Sequence, residues 1–137
     1  MSVYFRNDSA IWRIFYYYQK NYSEAQSLAF QTDSKDILLN ILNRSLLIKI
    51  YYETDQIELL LFYLEANRVF LLRNKLIDSK LKKQMQRFVD FTKKLAKIES
   101  HESDKLELLK ASLPLASGIM HRDWVIEQID NKIAKSK

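Results

Sequence analysis

Residues 16–30 read YYYQKNYSEAQSLAF: three adjacent tyrosines, a polar run broken by Tyr22, then small and apolar side chains at helical spacing. Asn21 with Glu24 three residues on is the pattern of a helix N-terminus, in which the cap accepts a first-turn amide and the glutamate returns one. One helix therefore ends in the tyrosines, and a second begins at Asn21 with Ala25, Leu28 and Ala29 along its apolar side. Consecutive helical residues point about 100° apart, so Tyr16, Tyr17 and Tyr18 face two neighbouring helices and one open side. Large rings with a polar tip suit a hairpin end that is part core and part wet. Packing is the leading role for them, and an aromatic contact patch of Tyr17, Tyr18 and Tyr22 for a partner is the alternative.

The pattern has an echo. Asp55 and Glu58 repeat the Asn21/Glu24 box 34 residues later, and the doublet Tyr17-Tyr18 recurs as Tyr51-Tyr52 at the same offset. Self-similarity at this period is the mark of stacked helical hairpins. The spacing predicts a first hairpin over 9–32 and a second over 34–73, with Ser34 capping the helix SKDILLNILNRSLLIKIYYE and Asp55 capping QIELLLFYLEANRVFLLR. Glu53, Asp55 and Glu58 form an acidic cluster that capping accounts for, ahead of acid–base or metal chemistry. Ile37, Leu38, Leu39, Ile41, Leu42, Leu46, Leu47, Ile48 and Ile50 cover most directions of one helix, which therefore needs neighbours on several sides.

These residues resemble the tetratricopeptide repeat. Tyr16, followed nine residues later by Ala25, matches that family's end-of-helix tyrosine and its small residue at the hairpin crossing, and NYSEA resembles its turn. Arg13, Ala29 and Ile37 depart from the motif, which has Gly, a large aromatic and Pro there, and Leu59 replaces the crossing alanine in the second unit. The resemblance spans about residues 9–73 and implies an all-α, right-handed stack of antiparallel hairpins.

Further on the period fades. DSKLKKQMQRFVDFTKKLAKI is an amphipathic helix with Leu81, Met85, Phe88, Leu95 and Ile98 on its apolar face, and SDKLELLKAS follows it, so 78–112 reads as a divergent third hairpin. After the punctuated LPLASGIM, residues 121–135 form a capping helix carrying Trp124, Ile126, Ile129 and Ile133. The expected fold is all-α, about seven helices in one domain. Residues 64–98 with LPLASGIMHRDWVIEQI also resemble the C-terminal end of larger uncharacterised bacterial helical-repeat proteins, through RNKL, the long basic helix and RDW. That resemblance implies the tail of a longer array without an assigned reaction, with Met1 then not the natural start. A stack cut open there leaves an apolar end face at Ile11, Trp12, Ile14 and Phe15, through which the chain self-associates.

Composition narrows the function. One Gly and one Pro in 137 residues remove the phosphate loops, dinucleotide fingerprints and nucleophile elbows that glycine makes possible. No cysteine is present, which removes disulfides and thiolate metal sites and fits a reducing cytoplasm. HESDK at 101–105 has Lys105 where a zinc-binding helix needs its second histidine, and His101 and His121 read as exposed or capping side chains. The sequence points to no enzyme, cofactor or metal. The most apolar run, LLLFYL at 59–64, is far short of the ~20 residues of a membrane span.

Charge is the remaining signal. Net charge is +5, yet residues 65–97 alone carry ten Lys or Arg against three acids. Lys80, Lys83, Arg87 and Lys94 fall within about 60° of one another on the helix wheel, beside the apolar face. A solvated face is the plain reading of this stripe, an acidic protein or peptide partner the second, and nucleic acid or anionic lipid the third. Phe88 and Phe91 belong to the core side, so the stripe lacks aromatics for base stacking. The expected function is a non-catalytic protein-interaction or scaffolding module.

Overall fold

In the computed structural model, which describes residues 12–31 and 36–136, every regular element is a helix and no strand occurs among those residues. The order is α1 (residues 12–18), α2 (Tyr22–Gln31), α3 (Ile37–Glu53), α4 (Ile57–Arg73), α5 (Ser79–Lys97), α6 (Ser103–Ala111), a 3-10 turn (Ala116–Gly118) and α7 (Arg122–Lys135). The chain divides into two compact units, Met1–Leu60 and Leu61–Lys137.

In the first unit the same turn is made twice. Lys20 and Asp55 both take the left-handed conformation, at φ 64 and φ 58. The Lys20 and Asn21 amides donate to the Tyr17 and Tyr16 carbonyls, and those of Asp55 and Gln56 donate to Tyr52 and Tyr51. This is the paired closure of a Schellman motif, which satisfies the last carbonyls of a helix. Asn21 and Gln56 then begin the next helix, their carbonyls accepting from Ala25 and Leu60 at 3.1 and 2.8 Å. The structural repeat is therefore 35 residues, one more than the sequence spacing predicts, and pairs Tyr16-Tyr17 with Tyr51-Tyr52. Asp55 is not the N-cap of α4 but the left-handed residue before it. Leu60, fully buried, is the counterpart of Ala25, whereas Leu59 is exposed.

α2 packs on α3. Ala25 and Ala29 are buried and present no bulk, so Tyr17, Ala25, Leu46 and Ile50 close into one cluster flanked by Tyr16 and Tyr22. The Asn43 side-chain amide donates to the Ala29 carbonyl at 3.0 Å, tying the two helices. α3 starts at Asp36, whose carboxylate accepts from the Leu38 and Leu39 amides at 2.9 and 3.3 Å. The expected cap, Ser34, lies outside the described residues. Residues 45–51 of α3 are buried without a break, so its C-terminal half is covered all round, while Leu38 and Leu42 leave an exposed apolar strip on its first half.

The second unit is organised by α5. Asp78 caps it by accepting from the Lys80 and Leu81 amides, and its buried side Met85, Phe88, Val89, Phe91, Thr92 and Leu95 follows the helical period. α6 and α7 each pack on α5 and on each other, joining Leu106, Leu109, Trp124, Val125 and Ile129 to that core. Phe88 meets Trp124 and His121 edge to face, at 5.8 and 5.1 Å between ring centres. The segment leading into α7 is clamped to α5: Gln84 Nε2 donates to the Ser117 carbonyl and Arg87 Nη1 to the Gly118 carbonyl, both at 2.8 Å. Lys132 reaches the Leu95 carbonyl at the C-terminal end of α5 at 2.8 Å, where a cation complements the helix dipole.

Candidate functional site

Along α4, Leu64, Glu65, Arg68, Leu71 and Leu72 recur at helical spacing and share one side. Lys83, Gln86, Arg87, Val89, Asp90 and Lys93 do the same on α5, and the two sides enclose a groove of about 550 Å³ within the second unit. That volume falls in the range of about 300–1,000 Å³ usual for binding sites. Its floor is apolar, made of the buried Leu64, Leu71 and Val89, and Leu72 stands at the lip 58% exposed.

The rim is charged and unequal. Arg68 grips Glu65 with two prongs, Nε to Oε2 at 2.9 Å and Nη2 to Oε1 at 2.6 Å. That grip holds the Glu65 carboxyl below the usual carboxylate range, with the charge of Lys93 adding to it. Asp90 pairs with Lys94 at 3.2 Å. Both acids of the groove thus have cation partners, whereas Lys83 and Lys93 are exposed and in no ion pair among the described residues. Arg87 spends one nitrogen on the Gly118 carbonyl and keeps its charge at the rim.

The structure distributes the basic stripe unevenly. Lys83 and Arg87 come together on the groove. Lys80 is exposed at the first turn of α5 and does not line it, and Lys94 lies over the Phe91 ring at 5.5 Å while paired with Asp90. Sequence reasoning missed Lys93, Arg68 and Glu65, and the whole α4 wall. A signal existed in Glu65-x-x-Arg68, a helical i, i+3 ion pair flanked by leucines at the same spacing.

The tyrosines are divided as well. Tyr17 is buried, and its hydroxyl donates to Glu53 Oε2. Tyr22, half-buried, donates to Glu53 Oε1 at 3.0 Å. Burial first, then the Glu53 charge, pushes the Tyr22 phenol up. Lys20 approaches the same carboxylate at 3.7 Å, and Lys49 stands 5.6 Å over the Tyr17 ring. Tyr18 alone of the three is open, at 74%. Glu53 is therefore a hydrogen-bond centre for the hairpin end rather than a capping residue. Arg13, at the position where the repeat motif has Gly, is buried, its Nη1 has no hydrogen-bond partner, and desolvation pulls its guanidinium down.

Among the described residues no three His, Asp or Glu gather as for a metal ion, and no helix is long and apolar enough to cross a membrane. Comparison of the chain with protein-family models, with curated proteins and with solved structures finds no match.

Proposed function

We propose that this protein is a non-catalytic interaction module built from tetratricopeptide-like helical hairpins, acting in the cytoplasm by holding a segment of a partner protein between α4 and α5. The observation that carries the reading is the α4–α5 groove: a leucine and valine floor under a cationic rim is a recognition surface. The left-handed turn recurring at 35 residues supports the hairpin architecture, one residue longer than the tetratricopeptide period. The absence of cysteine supports the cytoplasm. Nucleic acid is the weaker partner, because Lys94 is already paired and the groove lining includes no aromatic for bases to stack on.

A photo-crosslinking amino acid at Leu72, in the native cell, tests the reading. The expected result is a discrete protein adduct at Leu72 that is absent when the probe replaces Leu108, a more open position on α6. No adduct, or the same adducts from both positions, refutes it. Of the expected end face Ile11 lies outside the described residues, and Trp12, Ile14 and Phe15 expose 51%, 47% and 44% of their surface on α1, which supports self-association through that face. Phe15→Glu is then expected to lower the sedimenting mass at high concentration, and an unchanged mass refutes it.

A further inference from the structure

The geometry points to an acidic amphipathic helix as the occupant of the α4–α5 groove, an assignment that rests on the interaction-module reading. Both walls are helices whose backbone groups are used internally, so neither offers an edge for an extended strand to pair with. What the walls do offer is two rows of side chains with an apolar furrow between them, the surface into which the ridges of a third helix fit. From Leu64 to Leu72 the α4 wall is about 12 Å long, and from Lys83 to Lys93 the α5 wall is about 15 Å. That length takes two to three helical turns, so about three apolar anchors at i, i+3 or i+4, and i+7 reach the floor of Leu64, Leu71 and Val89.

Charge sets the rest of the chemistry. On the α4 wall the guanidinium of Arg68 is engaged by Glu65. On the α5 wall Asp90 is engaged by Lys94, which leaves Lys83, Arg87 and Lys93 as the cations in no ion pair, with Lys93 also in the field of Glu65. The carboxylates of the guest therefore lie along the flank that faces α5, and the flank facing α4 is neutral. Cations spread over the length of the wall do not match a fatty acid, whose single carboxylate needs a cation at one end. Leu72 at the lip covers the guest's apolar side from α4.

The test is a display library of helix-patterned peptides, about twelve residues long with flanking positions randomised, selected on the full chain. Counter-selection uses the bare display support, and Leu72→Glu, a substitution at an exposed site that leaves the core alone, is kept for testing the winners. The expected winners carry Asp or Glu on one flank only. They are expected to lose at least tenfold in affinity on Leu72→Glu, and again on the double variant Lys83→Glu/Lys93→Glu, and to weaken as salt is raised. The charge-swapped variant, selected in turn, is expected to enrich Lys and Arg on that flank. Winners that are neutral or basic, or that bind Leu72→Glu undiminished, overturn the acidic-helix assignment. So does a library without winners. In each case the Leu72 crosslink decides separately whether the groove holds any protein, so failure of this assignment is distinct from failure of the function.

Discussion

Glu53→Ala removes the one carboxylate that receives both the Tyr17 and the Tyr22 hydroxyls. Its side chain is 12% exposed, and Tyr17 is 7% exposed, so the Tyr17 hydroxyl is left with little access to water. Losing a hydrogen bond to a charged acceptor costs about 1.5–3 kcal/mol. Tyr22 is half-buried and can turn to water, adding about 0.5–1 kcal/mol. The Lys20 contact, 72% exposed on the lysine side, adds at most a few tenths of a kcal/mol. The expected loss is thus about 2–4 kcal/mol, a large part of the ~5–15 kcal/mol of an ordinary domain. With a urea slope of about 2 kcal/mol/M, the midpoint falls by roughly 1–2 M. Trp12, whose ring lies 6.0 Å from that of Tyr16, reports the transition by fluorescence. Tyr17→Phe removes the donor instead of its partner, so the double variant is expected to recover about 1–2 kcal/mol of the sum of the single losses. A Glu53→Ala stability within ~0.5 kcal/mol of the parent, or strictly additive losses, refutes the hydrogen-bond centre.

Burial and then the charge of Asp55 push the Tyr52 phenol from 10.0 up to about 12; a raised folded value means its contribution is complete below pH 10.0 and is lost as pH climbs towards about 12. Urea midpoints measured across that window are expected to fall in the parent and to fall less in Tyr52→Phe; parallel curves refute it. Asp36→Ala should cost about 0.5–2 kcal/mol by removing the cap of α3, read as a lower denaturant midpoint, while Asp36→Asn should cost far less. At Lys20, φ 64 strains a side-chain-bearing residue by about 1–2 kcal/mol, so Lys20→Gly is expected to raise thermal stability by about 0.5 kcal/mol after the entropy cost of glycine; a loss refutes the left-handed turn. Gly118→Ala places a Cβ 3.1 Å from the Pro114 Cβ and 3.4 Å from Arg87 Nη1, and calorimetry should register about 1 kcal/mol of destabilisation from the crowded clamp.

The helices were legible because almost nothing interrupts them: with one Gly and one Pro, apolar periodicity runs on until a polar cap stops it. The repeat was legible only to within one residue. Three tyrosines in a row match two tyrosines at either of two offsets, and Asp serves equally as an N-cap or as one of the few residues at ease in the left-handed region. The carbonyl-to-amide pattern separates those cases, and a sequence does not display it. Half of the groove was legible. Lys83 and Arg87 advertise themselves in a basic helix, but that Lys93 lines the groove while Lys94 lies over Phe91 and pairs with Asp90 is settled by side-chain placement in space. The α4 wall was hidden because leucines that line a groove and leucines that fill a core share one periodicity.

The left-handed turn at Lys20 also sets an order of events during synthesis. It closes on carbonyls only three and five residues back, so almost no loop-closure entropy opposes it. Glu53, the acceptor that anchors the tyrosines beside that turn, lies 33 residues downstream of Lys20. At ribosomal speeds of about 5–20 residues per second it emerges roughly 2–7 s later. The nascent hairpin end therefore waits, its phenols still bonded to water, until the third helix delivers their carboxylate.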